Sequence, residues 1–226
     1  MRANDRKGFD VNDALINRAM AGARDAEDAG VTAPRRPTPE YVARCAAYMT
    51  DNGYDAREPD VHNRLAMFLA YRKMGLTTKG LMLLGPPGTG KTIWLKKFGH
   101  CRVEEAKGIA RRWRKDGGEA TMTWLKPPRY DVLPLSVTQM ALDDLGDEPV
   151  VNEYGTKVEC MVDVLSARYN LFQNHGVKYA TYIATNLTEV ELSDRYKARI
   201  FSRLSAMCTF ITFTGPDSRL GETRGD

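Results

Sequence analysis

The chain has 226 residues, 42% hydrophobic and 27% charged, with a formal net charge of +4 at pH 7. That is apolar material for one domain of ordinary size with a small extension, which excludes a wholly disordered chain. The mild positive charge is compatible with nucleic acid without requiring it, and no apolar run is long enough to span a membrane. Cys45, Cys101, Cys160 and Cys208 form no C-x-x-C pair, and His62, His100 and His175 show no ligand spacing. Buried or idle thiols in a reducing compartment are the expectation. The N-terminus is charged and lacks a signal-peptide core, so a cytoplasmic protein is expected.

Residues 1–37 are polar and read as a flexible or partner-docking arm. One helix could run from Val11 to about Ala26, with Val11, Leu15, Ala19 and Ala23 on one face. Residues 38–75 predict a small helical extension. Thr38 followed by Pro39 is a helix start, Tyr41, Val42, Cys45, Tyr48 and Met49 fall on one face, and Gly53 can end it. Asp60 opens a second amphipathic helix with Val61, Leu65, Phe68 and Leu69, stopping near Gly75.

The texture changes from Leu81 onward. "LMLL" (Leu81–Leu84) is a short continuous apolar run, as in a buried parallel strand. "MTWL" (Met122–Leu125), "QMALDD" (Gln139–Asp144), "ATYIAT" (Ala180–Thr185) and "TFITF" (Thr209–Phe213) are further strand candidates. Helical segments lie between most of them. This alternation predicts an α/β core with a parallel sheet over 76–226.

"GPPGTGKT" fits G-x-x-x-x-G-K-[ST] in full, from Gly85 through Pro86, Pro87, Gly88, Thr89 and Gly90 to Lys91 and Thr92. Glycines let backbone N–H groups turn toward phosphate oxygens with no Cβ in the way. Lys91 would reach the β- and γ-phosphates of ATP. The Thr92 hydroxyl would ligate Mg²⁺, with the positive end of the following helix aimed at the anion. The motif follows a strand and opens a helix, the context it needs; the plainer reading is a flexible glycine turn.

A loop that holds ATP also needs an acid near the metal. Asp143 and Asp144 follow Met140, Ala141 and Leu142, at the expected end of a strand beside the loop strand. Asp143 would hold Mg²⁺ through water, and Asp144 would orient or deprotonate the attacking water. Alone, such a pair is more often a solvated turn. Glu148 reads as a spare, exposed acid. Asn186, at the end of "ATYIATN", would lie level with the phosphate loop, where its amide can meet both the γ-phosphate and the lytic water. Arg195, Arg199 and Arg203 recur at helical spacing and are expected to share a face. In "KGIARRWRKDGG", Lys107, Arg111, Arg112, Arg114 and Lys115 surround Trp113, a mixture suited to single-stranded nucleic acid. The alternative is the solvated C-terminal end of the helix after the phosphate loop.

Taken in order, "GPPGTGKT", the "DDLG" of Asp143–Gly146, the "TNL" of Thr185–Leu187, the arginines 199 and 203 and the terminal "GPDSR" resemble the AAA+ ATPases of the DnaC-type helicase-loader and IstB-type transposition family, in particular their mobile-element and phage-like members. The resemblance covers Gly80–Arg219. It implies a P-loop three-layer core without a C-terminal helical lid. It assigns Lys91 and Thr92 to the Walker A motif, Asp143 and Asp144 to Walker B, and Asn186 to sensor 1. Arg203, preceded by Arg199, falls on the trans-acting arginine finger, and Arg219 on a sensor-2-like position. It also implies an ATP-dependent oligomer that contacts single-stranded DNA and delivers a replicative helicase to it, the N-terminal region being the contact with the helicase. A transposition helper that recruits a transposase uses the same core. A non-hydrolysing ATP-dependent adaptor is a third reading, opposed by Asp143, Asp144, Asn186 and Arg203.

Overall fold

A computed structural model describes residues 36–54, 58–125, 139–153 and 156–217. The expected helix from Val11 and the candidate Arg219 lie outside the described residues. The chain divides into two compact units, Met1–Gly53 with Asn63–Thr77, and Tyr54–His62 with Thr78–Asp226. Among the described residues, no helix is long and apolar enough to cross a membrane.

In the first unit, α1 (Pro39–Asp51) starts as its sequence dictates. Pro39 needs no backbone donor, and the Thr38 hydroxyl accepts from the Tyr41 N–H at 3.3 Å. The predicted apolar face buries Val42, Cys45 and Met49. Helix α2 (Pro59–Lys73) begins in the second unit and belongs to the first from Asn63 onward. Leu65, Phe68 and Leu69 are buried on it, and Lys73 sets its ammonium 4.0 Å from the centre of the Tyr48 ring.

The second unit is built on five parallel strands: β1 (Gly80–Leu84), β2 (Arg102–Glu105), β3 (Met140–Asp143), β6 (Thr181–Thr185) and β7 (Cys208–Thr212). Their order across the sheet is β2-β3-β6-β1-β7. The helices are α3 (Lys91–Phe98), α4 (Ala106–Asp116), α5 (Gly118–Leu125), α6 (Cys160–His175) and α7 (Glu189–Met207). A separate antiparallel pair, β4 (Val151–Glu153) and β5 (Thr156–Val158), precedes α6.

Strand order and handedness divide the helices between the faces. The crossover from β1 to β2 runs one way along the sheet, and those from β2 to β3, β3 to β6 and β6 to β7 run the other. Right-handed connections therefore put α3 on one face and α4, α6 and α7 on the opposite one. The core agrees. Met82 and Leu84 cluster with Ile109, Trp113, Leu165 and Leu204, a cluster that takes nothing from α3. Trp94, Leu95 and Phe98 of α3 are buried separately.

Five expectations change. "MTWL" is the end of α5, not a strand. Strand β2 was not anticipated, because "RVEE" is a charged edge strand with no apolar alternation. The basic segment is not the end of the helix after the phosphate loop; α3 stops at Phe98, and β2 separates it from α4. Trp113 is 5% exposed and packs on Gly118, so its ring serves the core and is not free to stack on bases. Finally, α7 is broken at Lys197 (φ 65°, ψ 157°), so Arg195 does not share one continuous helical face with Arg199 and Arg203.

Candidate functional site

The C-terminal edge of the parallel sheet gathers the candidate residues, as the fold class requires of a ligand site. β1 runs directly into the phosphate loop. Gly85, Gly88 and Gly90 all have positive φ (129°, 73° and 94°), a backbone that side chains oppose. Glycine is needed at Gly85 and Gly88 for space as well. A Cβ on Gly85 would strike the Phe213 carbonyl oxygen, and one on Gly88 would strike the Asp217 carboxylate. Thr89 donates its hydroxyl to the Pro86 carbonyl at 2.9 Å and closes the turn.

Lys91 is 5% exposed. Its ammonium donates to the carbonyls of Gly85 and Pro86, both at 2.6 Å, and to the Thr89 hydroxyl at 3.3 Å. The charge is thus held over the loop that would receive phosphate.

Thr92 donates its hydroxyl to Asp143 Oδ1 at 2.9 Å. The sequence expectation had β3 beside the loop strand, but β6 lies between them. The contact forms because α3 packs across β6 on its way to the far edge, carrying its first turn toward β3. Asp143 is buried, and burial holds its carboxyl above the ordinary aspartate range. The Thr92 hydroxyl works in the other direction, and the neighbouring Asp144 charge adds to the rise.

Asp144 is half-buried with φ 52°, a conformation that aspartate tolerates better than most residues. Its N–H donates to Asp143 Oδ1 at 3.2 Å. Thr185, the last residue of β6, pairs with Leu84, the residue before the loop, so Asn186 comes next in register with Gly85. Thr185 also donates its hydroxyl to the Leu145 carbonyl at 2.6 Å, tying the acidic loop to β6.

Lys91, Thr92, Asp143, Asp144 and Asn186 therefore converge on one edge of the sheet. Arg199 and Arg203 do not join them. Helix α7 leads away from that edge toward the start of β7, whose Cys208 pairs with Gly80 at the opposite end of β1. Arg199 is exposed. Arg203 donates to the Ser166 hydroxyl at 2.7 Å and lies 5.3 Å from the Tyr169 ring centre.

Three features of the site had no sequence signal. Glu148 is buried, not an exposed spare acid, and bonds to Gly146, Arg195 and Tyr196. Glu58 holds the segment after β7 by accepting from the Thr214 N–H and hydroxyl and the Gly215 N–H. That segment brings Asp217 against Gly88. Each links positions far apart in the chain, which periodicity cannot reveal.

The donor set suits a nucleoside triphosphate with a hard divalent cation. A hydroxyl and a carboxylate stand together beside a lysine-closed phosphate loop. Among the described residues no group of three or more His, Cys, Asp or Glu side chains could hold a metal unaided. An ion such as Mg²⁺ would thus share Thr92 and Asp143 with phosphate oxygens and water, its preferred coordination.

No protein-family model and no curated relative matches the chain. Among solved structures, the chain is similar to the crystal structure of the DnaC helicase loader over 71% of its own length and 93% of that chain, with 18% identity and a TM-score of 0.47. It is also similar to AMPPCP-bound DnaA from Aquifex aeolicus over 78% of its length, with 17% identity and a TM-score of 0.49, and spans half of that chain.

Proposed function

We propose that this chain is an ATP-dependent replicative helicase loader: a switch that assembles on ATP, hydrolyses it, and delivers a helicase to single-stranded DNA. The observation that carries the reading is the 2.9 Å contact between Thr92 and Asp143 beside the Lys91-closed loop. A hydroxyl, a carboxylate and a lysine so placed suit the holding of a metal-bound triphosphate.

In this reading Lys91 gives up the Gly85 and Pro86 carbonyls and turns to the terminal phosphates. The N–H groups of Gly88, Gly90 and Lys91 and the positive end of α3 add to the pull on the anion. Bound Mg²⁺ would neutralise phosphate charge. Thr92 would offer a hydroxyl lone pair while its O–H goes on donating to Asp143. Asp144 takes the proton of the attacking water, and Asn186 orients that water against the γ-phosphate. Arg203 is held by Ser166, away from the edge where Lys91, Thr92 and Asp143 meet, and this position supports its service to a neighbouring subunit.

The loader role rests on the motif set. The exposed Arg111, Arg114 and Lys115 on α4 supply charge for the phosphates of single-stranded DNA without the stacking ring first expected. The test uses the full chain with a hexameric helicase and closed circular single-stranded DNA. The reading expects helicase on the circle only when ATP is present. Capture of a transposase with no effect on the helicase would favour the transposition helper instead.

A further inference from the structure

Glu148 sits where the acidic loop meets α7, 6% exposed. Its Oε2 accepts the Gly146 N–H at 2.9 Å. Its Oε1 accepts the Tyr196 hydroxyl at 2.5 Å and Arg195 Nη2 at 3.0 Å, and the same Nη2 donates to the Glu148 carbonyl at 2.6 Å. One buried carboxylate thus holds the backbone two residues after Asp144 and the last two side chains before the break in α7.

Both ends of this link are conformationally poised. Asp144 keeps a positive φ because the surrounding loop over-determines it. Leu145 donates to the Ala184 carbonyl at 3.0 Å, and Asp147 to the Asp144 carbonyl at 3.2 Å. At the far end, Lys197 has a backbone that side chains oppose, directly after Tyr196. Arg195 Nε is buried there without a hydrogen-bond partner. An unsatisfied donor beside a strained joint marks a place where a helix can rearrange at low cost. Beyond the joint lie Arg199 and Arg203.

We propose that Glu148 is a positioning residue that couples Asp144 to the arginine-bearing half of α7, so that occupancy of one subunit's nucleotide site sets the arginine that the subunit offers to its neighbour. The proposal rests on the functional reading above and extends it to regulation between sites. Glu148 is engaged by Gly146, Arg195 and Tyr196, and it acts through them. A shift of the Gly146 N–H, as Asp144 engages water and phosphate, moves the carboxylate. Arg195 and Tyr196 follow, and the half-helix beyond Lys197 pivots.

The test is a double-mutant cycle on ATP turnover by the full chain with single-stranded DNA, using Glu148→Gln, Arg203→Ala and both together. Glutamine cannot accept from all three donors at once. E148Q is expected to lower kcat about tenfold while the Kd for a fluorescent ATP analogue stays within about twofold. In the R203A background it is expected to cost nothing further, because its effect passes through that arginine. Tyr196→Phe, which removes one hydrogen bond and keeps the ring, is expected to give a smaller loss with the same non-additivity, and it serves if E148Q fails to fold. Multiplying effects of E148Q and R203A, or wild-type kcat in E148Q and Y196F, would overturn the proposal while leaving the ATPase reading intact. Full turnover in R203A would likewise overturn the proposal alone, whereas absence of turnover in the wild-type chain would overturn both.

Discussion

Thr92 and Asp143 meet at 2.9 Å across a strand that separates their own strands in the sheet. A helix only eight residues long makes this contact, crossing the sheet with its first turn at the phosphate loop and its apolar side chains buried beneath. The contact joins the two halves of the site. Its hydroxyl is already turned to donate to the carboxylate, which leaves the oxygen lone pairs for a cation.

In the proposed site Lys91 carries the charge that would meet phosphate. Lys91→Ala should weaken ATP binding by about 2–5 kcal/mol, the range for removing one member of a desolvated charge pair. Titration with a fluorescent nucleotide measures this directly. Wild-type affinity in the variant would mean that the glycine turn is only a turn.

Asp143 is expected to lower stability in the service of its function. The folded chain holds its proton more tightly than the unfolded chain, because burial raises its carboxyl above the ordinary range. Its stabilising contribution is full below the ordinary aspartate range and is lost as pH rises through the raised folded value. Asp143→Asn keeps an acceptor for Thr92 and removes the buried charge. Its Tm should therefore exceed that of the wild type at neutral pH and vary less between mildly acidic and neutral pH, while Mg²⁺-dependent nucleotide binding falls. Thermal scans across pH, paired with metal titrations, check both halves.

Asp144→Asn separates binding from turnover. Asparagine tolerates the positive φ at this position, so the loop should keep its shape. An amide cannot take the proton of water, so hydrolysis should slow by about 100-fold or more with ATP affinity retained. Single-turnover measurements are the readout. Normal hydrolysis would move the role to another group; Glu148, the other acid considered, is committed to Gly146, Arg195 and Tyr196.

Lys197 marks the break in α7 with a backbone suited to glycine. Lys197→Gly should stabilise the chain by about 1 kcal/mol, relief of strain exceeding the added freedom of the unfolded chain. Denaturant melts with an unchanged m-value would show it. Equal or lower stability would mean that the break carries no strain.

The glycine turn between β1 and α3 was legible because its pattern is local. Glycines, lysine and threonine act within eight consecutive residues, and the apolar run before them announces a buried strand. The capping threonine and apolar face of α1 were legible for the same reason. What the sequence hid was pairing and partnership. "RVEE" forms an edge strand through hydrogen bonds to β3, with no apolar pattern of its own. Trp113 looked like a stacking ring among cations, yet the same helical spacing points it into the core. Glu148 looked exposed because it lies in "DEP", and its burial depends on Arg195 and Tyr196, nearly fifty residues on. The spacing of Arg195, Arg199 and Arg203 promised one face, and a single non-helical residue between them divided it.

The central claim is that ATP reports assembly, because one subunit's site needs another's Arg203. The most direct measurement mixes two inactive proteins. Arg203→Ala should bind ATP normally, hydrolyse it poorly and fail to form ATP-dependent oligomers; an arginine finger is worth about 10³-fold or more in rate. Lys91→Ala should bind ATP too weakly to turn it over under the conditions of the assay, but it still carries Arg203. Mixed with R203A in the presence of single-stranded DNA, it should restore turnover, since its arginine can enter the intact site of the R203A subunit. A mixture no more active than the sum of its parts would contradict the shared site and leave Arg203 bound to Ser166 as a residue of its own surface.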